Sequence, residues 1–174
     1  MVYFTSDLHL GHRNAISLCD RPFENIEEMD KYLIDAYNAR VSKNDTCYIL
    51  GDICFRVPVE QANEYISKLN GNKILIVGNH DKKYDESLFE YIRDFETVNI
   101  NGIYIALMHY PMLEWPRSFQ GSLHLHGHIH SKPEYNLKNR EQGILRYDVG
   151  VDANNYMPVS INEVMNFFNL GTKG

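Results

Sequence analysis

The sequence predicts an α/β fold, and three observations support this class. Short runs of β-branched and aromatic residues alternate with stretches that carry apolar residues at helical spacing. Asn101-Gly102 separates two apolar runs and is a strong β-hairpin signal. The 174 residues show no repeat, low-complexity tract or Pro/Gly/Ser linker, so we predict a single domain over residues 1–174. Alternation of this kind is typical of α/β architecture.

The first half of the chain contains three predicted strands, over residues 2–5, 47–50 and 73–77. A helix is predicted after the first strand, because Ile26, Met29, Leu33 and Tyr37 form an apolar stripe. A second helix is predicted over residues 59–69, where Asn70-Gly71 ends the helical pattern.

The second half adds a short predicted helix over residues 86–92 and then a hairpin formed by residues 97–100 and 103–108. Strands are predicted at 123–125 and 145–151, and the polar stretch 131–143 between them is predicted to be an exposed, mobile loop. Ser160 and Glu163 form a capping-box pattern, which predicts the start of the last helix.

Composition limits the classes of protein and of partner. The net charge is −6 and the pI is about 5.7, which argues against a broad basic surface, so nucleic acid is a permitted but disfavoured partner. Cys19, Cys47 and Cys54 are odd in number and lack C-x-x-C spacing, which favours a reducing compartment. Neither a signal peptide nor an apolar stretch of ~18 residues is visible, so we predict a cytoplasmic protein without membrane contact.

Metal-binding residue types follow the predicted strands. In open α/β sheets the carboxyl ends of strands converge on one crevice, so five such strand ends can form one site. Seven of the eight histidines, all except His124, lie in or beside these motifs. The motif residues are Asp7 and His9, Asp52, Asn79 with His80 and Asp81, His109, and His128 with His130. Imidazole, carboxylate and amide ligands without thiolate favour Mn²⁺, Fe²⁺, Zn²⁺ or Ni²⁺ over Ca²⁺.

The order Asp-x-His, Gly-Asp, Gly-Asn-His-Asp, His, Gly-His-x-His resembles that of the calcineurin-like metallophosphoesterases, in particular small bacterial or phage forms. The resemblance implies two packed mixed β-sheets flanked by helices in four α/β/β/α layers. It also implies a metal-dependent phosphoester hydrolase with two divalent ions, of which Mn²⁺ is favoured, and a hydroxide shared between them. The implied ligands are Asp7, His9 and His130 for the first ion, Asn79, His109 and His128 for the second, and Asp52 as a bridge.

The resemblance further implies that His80 stabilises the transition state or protonates the leaving oxygen, and that Asp81 orients the ring of His80. The expected substrate is a small phosphodiester or nucleotide, with nuclease activity second. Two alternatives stay open: a non-catalytic metal-binding scaffold, against which the complete ligand set argues, and a phosphoprotein phosphatase. The oligomeric state is not predicted.

The other polar and aromatic residues near the motifs can be interpreted as functional or as structural. His12, Arg13 and Arg56 could contact a phosphate, although solvated loop positions are favoured. His124 and His126 alternate with leucines, so they are interpreted as structural. Trp115, in a loop with Tyr110, Pro111 and Arg117, is predicted either to stack on a base or to pack into the core. Asp148 and Asp152 are predicted to bind backbone groups of a turn or a strand end.

Overall fold

The computed structural model describes residues 1–170, so the last four residues of the predicted domain lie outside it. The strands are β1 Val2–Thr5, β2 Thr46–Ile49, β3 Asn72–Ile76, β4 Tyr91–Arg93, β5 Phe95–Ile100, β6 Ile103–Met108, β7 Leu123–His126, β8 Arg146–Asp148 and β9 Val159–Ser160. The helices are α1 Ala15–Leu18, α2 Ile26–Arg40, α3 Val59–Ser67, α4 Pro133–Glu141 and α5 Ile161–Phe167.

The strands form two mixed sheets. The first has the order β4-β3-β2-β1-β9, in which only β9 is antiparallel to its neighbour. The second has the order β5-β6-β7-β8, with an antiparallel β5-β6 hairpin followed by parallel pairs. Ile100 pairs with Ile103 across Asn101-Gly102, which confirms the predicted hairpin. The two mixed sheets with helices confirm the expected α/β fold.

Strand alternation separates two apolar layers. In β2, Cys47 and Ile49 face the core layer that also contains Leu33 of α2 and Ile66 of α3. Tyr48, next to them in the strand, faces the layer between the two sheets, which also contains side chains of β6 and β7. Because successive side chains of a strand point to opposite faces, four residues are enough to contribute to both layers. Helices α2 and α3 therefore cover one face of the first sheet, and the second sheet covers the other.

Two local predictions were wrong. Residues 86–92 form a three-residue 3₁₀ turn, Glu86–Leu88, followed by strand β4 rather than a helix. The open edge of β3 supplies hydrogen-bond partners for residues 91–93, and this tertiary pairing outweighs the local pattern.

The second wrong prediction is the loop at 131–143, most of which is helix α4. This helix has no apolar stripe, and it is anchored by the buried amide of Asn136. The amide nitrogen of Asn136 donates to Asp148 O at 3.0 Å, and its oxygen accepts from Asp148 N at 2.8 Å. The side chain thus replaces a neighbouring strand at the outer edge of β8.

The last helix begins as predicted, because the Ser160 side chain and Glu163 form a complete capping box. Within residues 1–170, no helix combines the length and the apolar character that crossing a membrane requires. The three cysteines are unpaired.

Candidate metal centre

The residues predicted as ligands come together at one end of the two sheets. Asp7 and His9 follow β1, Asp52 follows β2, and Asn79 follows β3. From the second sheet, His109 follows β6, and His128 and His130 follow β7. The convergence of strand ends expected from the sequence therefore occurs across both sheets rather than along one.

The backbone at this site is locally strained. Five of the seven predicted ligand residues have a positive φ: Asp7 (57°), His9 (52°), Asp52 (54°), His128 (72°) and His130 (46°). This region is uncommon for non-glycine residues and costs about 1 kcal/mol or more per residue, so such positions concentrate at functional sites. The strained backbone positions therefore coincide with most of the predicted ligands.

The first ligand group consists of Asp7, His9 and His130. The Nε2 atoms of His9 and His130 are 3.1 Å apart, and they lie 3.9 and 3.8 Å from Asp7 Oδ1. Asp7 is fully buried, and its Oδ1 has no hydrogen-bond partner among the described residues. An unpaired buried carboxylate oxygen facing two imidazole nitrogens is a costly arrangement that a bound cation would satisfy.

The electrostatics of this group also suit a cation. Burial raises the pKa of Asp7 to about 7, because the ionised carboxylate is desolvated. Burial, and then the nearby His130, lower the pKa of His9 to about 3. A divalent cation would offset the desolvation of the Asp7 carboxylate, and the low pKa of His9 keeps its imidazole in the neutral form that a cation binds.

The second ligand group consists of Asn79, His109 and His128. Asn79 Oδ1 lies 3.0 Å from His109 Nε2 and 2.9 Å from His128 Nδ1. His109 Nδ1 donates to Leu50 O at 2.7 Å, which leaves Nε2 free to act as a ligand. These three atoms can therefore face one ion.

Asp52 lies between the two groups. Its Oδ2 is 3.6 Å from His9 Nε2 in the first group and 3.5 Å from His109 Nε2 in the second. Its Oδ1 accepts a hydrogen bond from His80 N at 2.9 Å. A carboxylate with one oxygen fixed and the other equidistant from both groups has the geometry of a bridge.

His80 is at the open side of this arrangement, with its Nε2 4.0 Å from Asp52 Oδ2 and its side chain 39% exposed. The expectation that Asp81 orients the His80 ring is not met within residues 1–170. Asp81 instead accepts hydrogen bonds from the backbone of Gly78, Asp52 and Ile53, at 2.8–3.0 Å. Asp81 lies next to two strand ends and therefore anchors their backbone. The Phe55 ring packs edge-on against the His80 ring, and the two ring centroids are 4.4 Å apart.

Two glycines allow the strand ends to approach so closely. A Cβ at Gly127 would overlap Ser6 Oγ and Asp7 Oδ2, and a Cβ at Gly51 would overlap Gly78 and the His109 ring. Gly51 also has a φ of +90°, which other residues rarely adopt. The Gly-Asp and Gly-His motifs thus include glycine because the backbone of one strand end touches the ligands of another.

Sequence reasoning missed an ion pair beneath the site. Arg21 donates to both oxygens of Asp152, at 2.9 and 2.8 Å, and both side chains are fully buried. Arg21 also donates to Leu8 O and Asp7 O. Asp152 Oδ2 in turn accepts from His130 Nδ1 at 2.8 Å. The pair therefore holds a backbone segment and a side chain of the first ligand group.

The contact between Asp152 and His130 has electrostatic consequences. Although burial acts in the opposite direction, the hydrogen bond to Asp152 raises the pKa of His130 to about 10. The hydrogen bonds to His130 and Arg21 hold the pKa of Asp152 at about 2, against the effect of burial. Asp152 was expected to satisfy backbone groups, and that expectation was wrong. It follows the end of β8, so the strand-end signal used for the other residues applies to it as well.

The remaining candidates are mostly structural. His124 is fully buried and accepts a hydrogen bond from Met112 N, and His126 is fully buried as well. Trp115 packs into the core and donates to Ser122 O. Asp148 binds Gly150 N and Ser131, as expected for a strand-end acceptor. These residues form the frame around the site rather than its surface.

His12 and Arg56 line a cleft of about 460 Å³ beside the first ligand group. Arg13 is exposed and does not line that cleft. Tyr110 is 40% exposed beside the second ligand group, with its ring 4.5 Å from the ring of His128. Exposed side chains therefore lie next to both ligand groups.

Comparisons with known proteins find relatives that match most of the chain. An uncharacterised protein of Methanocaldococcus jannaschii is 34% identical over 173 residues, which cover 98% of this chain and 92% of the relative. The gene 66 protein of Mycobacterium phage L5 is 28% identical, over 87% of this chain and 86% of its own length. A crystal structure of a protein of unknown function from Aquifex aeolicus superposes with a TM-score of 0.74 at 28% identity, covering 95% of this chain and 98% of that one.

The family description is more specific. The sequence model of the calcineurin-like phosphoesterases matches residues 1–148, which include every candidate ligand named above. The chain therefore belongs to the calcineurin-like phosphoesterase family of metal-dependent phosphoester hydrolases.

Proposed function

We propose that this protein hydrolyses a small phosphodiester or nucleotide at a centre of two divalent metal ions. The position of Asp52 carries this proposal, since one of its oxygens lies 3.6 and 3.5 Å from the ring nitrogens of two separate ligand groups. A single ion would leave one of those groups unused. We assign Asp7, His9 and His130 to the first ion, Asn79, His109 and His128 to the second, and Asp52 to both.

The donor set supports Mn²⁺ as the preferred ion, with Fe²⁺, Zn²⁺ and Ni²⁺ as alternatives, because imidazole nitrogen outnumbers carboxylate oxygen and thiolate is not among the assigned ligands. When bound, the two ions supply an activated water and neutralise charge on the phosphoryl oxygens. The protein contributes the positions of both ions through the strained strand ends.

His80 is the residue we assign to the leaving group. Its Nε2 is 4.0 Å from Asp52 Oδ2, so an ester bound across both ligand groups places a phosphoryl substituent within reach of the ring. In hydrolysis the bond from water oxygen to phosphorus forms as the bond from phosphorus to the ester oxygen breaks, and that oxygen takes a proton from His80. The backbone bond from His80 N to Asp52 Oδ1 fixes the start of the side chain relative to the bridge.

The shape of the site supports a small ester rather than a phosphoprotein. The cleft beside His80 is concave and about 460 Å³, which is within the range of sites for small organic ligands. The completeness of the ligand set argues against the scaffold alternative. We place the protein in the cytoplasm as a single domain, in line with its composition.

The test uses chelator-treated protein with Mn²⁺ restored, assayed on bis(p-nitrophenyl) phosphate and on p-nitrophenyl phosphate. We expect Mn²⁺-dependent turnover with a preference for the diester. His80→Ala should lower kcat by about 10²- to 10⁴-fold while two ions remain bound, because His80 is a proton donor and not a ligand. Asp52→Asn should lower both turnover and metal content.

Asp35→Asn is the matched control for Asp52→Asn, because Asp35 is an exposed aspartate remote from the site. It should leave turnover and metal content unchanged. Two bound Mn²⁺ ions without turnover of either ester would contradict the proposed activity, and faster turnover of phosphopeptides than of the diester would favour the phosphatase.

A further inference from the structure

The cleft beside His80 differs in charge from the rest of the molecule. Asp and Glu outnumber Lys and Arg by 23 to 17 in the chain, yet none of the ten residues that line this cleft is acidic. They are His9, His12, Asn14, Ala15, Leu18, Cys19, Phe55, Arg56, His80 and His130. Two other cavities, of about 550 and 480 Å³, each have carboxylates as well as lysines in their linings, such as Asp35 and Lys31. The nearest carboxylates, those of Asp7, Asp52 and Asp152, contact the histidine rings but do not line the cleft. Arg56 is therefore the charged side chain that the lining presents, which favours an anionic ligand.

One side of the cleft carries a positioned cation. Arg56 is exposed, and its guanidinium carbon lies 5.0 Å from the centre of the Phe55 ring. The backbone φ of Arg56 is 55°, a conformation that is uncommon for residues other than glycine. Within residues 1–170, no carboxylate forms a salt bridge with Arg56. A guanidinium held on an aromatic ring and without an acidic partner is suited to bind an anionic or carbonyl oxygen.

Part of the cleft lining is apolar. Leu18, at the end of α1, is 75% exposed there. Ala15 lies one helical turn earlier and lines the same cleft. Because Ala15 is only 1% exposed, Leu18 offers the apolar contact surface on this part of the cleft.

We propose that this cleft is the subsite for the leaving group of the ester, and that it selects a leaving group with an apolar ring and a distal anionic or carbonyl group. The inference rests on the proposed function, because it takes the phosphoryl group to lie across the two ligand groups. His80, assigned to the leaving oxygen, lines the cleft, whereas Asn79, His109 and His128 do not. The leaving group therefore enters the cleft, with its ring against Leu18 and its polar end toward Arg56. Heterocyclic groups of nucleotides belong to this chemical class.

The test measures binding rather than turnover, with three phosphonates whose P–C bond is not hydrolysed: methylphosphonate, phenylphosphonate and 4-carboxyphenylphosphonate. Calorimetric titration into the Mn²⁺-loaded protein should show phenylphosphonate binding about tenfold tighter than methylphosphonate, from partial burial of the ring. The carboxylate should add roughly threefold more, as expected for a partly exposed ion pair.

Variants separate the two contacts. Leu18→Ser should remove the preference for phenyl over methyl, and Arg56→Gln should remove the added effect of the carboxylate. Matched controls are Leu113→Ser, a leucine that is 91% exposed and does not line the cleft, and Arg93→Gln, an arginine stacked on Tyr91 at 5.3 Å. Both controls should keep the full pattern of the wild type.

The outcomes distinguish this inference from the proposed function. Equal affinity for the three phosphonates, or an unchanged pattern in Leu18→Ser and Arg56→Gln, would overturn the subsite while metal-dependent turnover of the diester could still be present. Absence of binding by every phosphonate to protein that holds two Mn²⁺ ions would overturn both, because a phosphoryl group would then not be bound at the centre.

Discussion

A substitution in the buried ion pair between Arg21 and Asp152 tests whether a residue that binds no metal in our assignment still supports the metal centre. Asp152→Asn keeps the size of the side chain and removes its charge. Asp152 contacts Arg21 through both oxygens and His130 through one, and all three distances are 2.8–2.9 Å. The substitution therefore affects the fold through Arg21 and the first ligand group through His130.

The magnitude for the fold follows from burial. Both side chains of the pair are 0% exposed, so the substitution leaves a buried guanidinium without its counter-ion. Such losses cost about 3–5 kcal/mol. For a domain of this size, 1 kcal/mol corresponds to roughly 2–4 °C, so we expect Tm to fall by about 6–20 °C.

The magnitude for metal binding follows from the role of Asp152 as a partner of a ligand. Loss of a carboxylate that orients a metal-binding histidine typically weakens affinity by about 10- to 100-fold. We expect this decrease at the first ion only, because residues of the second group do not contact Asp152. The assay is calorimetric titration with Mn²⁺ at a temperature where the variant is folded.

Two comparisons make the result interpretable. Asp35→Asn removes an exposed ion pair with Lys31, worth about 0.5 kcal/mol, and should change Tm by roughly 1–2 °C without affecting metal affinity. The double variant Arg21→Met with Asp152→Asn removes the unpaired charge, so part of the stability should return while metal affinity stays low. Wild-type Tm and wild-type Mn²⁺ affinity in Asp152→Asn would refute the reasoning.

Two further predictions concern the whole fold. Mn²⁺ at about 100 times its Kd should stabilise the protein by about 2.7 kcal/mol per site, and two sites should raise Tm by roughly 10–20 °C in differential scanning calorimetry. An unchanged Tm would argue against a preformed metal centre. Burial lowers the pKa of His124 to about 4. Between pH 6.5 and 4 the unfolded chain therefore binds a proton that the folded chain does not. The free energy of unfolding consequently falls as pH falls through that window. His124→Asn should therefore reduce the pH dependence of the urea midpoint between pH 7 and 5, and an unchanged slope would contradict the assignment.

Strand ends were the part of the site that the sequence made predictable. An apolar run followed by Asp, Asn or His predicted where each strand ends. It also predicted that the strand ends meet, because buried parallel strands bring their carboxyl ends to one edge of the sheet. The ligand positions of Asp7, Asp52 and His109 relative to one another needed the structure, because they depend on how the second sheet packs on the first.

Arg21 could not be found from the sequence, because its partner Asp152 is 131 residues away and nothing local marks an arginine as buried. Helix α4 was missed for a related reason. Its buried residues are Asn136 and Asn139, so it carries no apolar periodicity, although Pro133 at its first turn and Gly143 after its end are typical helix boundary residues. Local patterns report burial of apolar groups, and both misses involve polar groups buried by long-range hydrogen bonds.

The separation of the ligands along the chain has a consequence for biosynthesis. His9 and His130, whose ring nitrogens face each other at 3.1 Å, are 121 residues apart. A chain still lacking β7 has Asp7, His9 and Asp52 but neither His128 nor His130, and long-range contacts form slowly because loop closure must precede them. Under the proposed assignment of ligands, capture of both metal ions therefore requires that the two sheets have already docked.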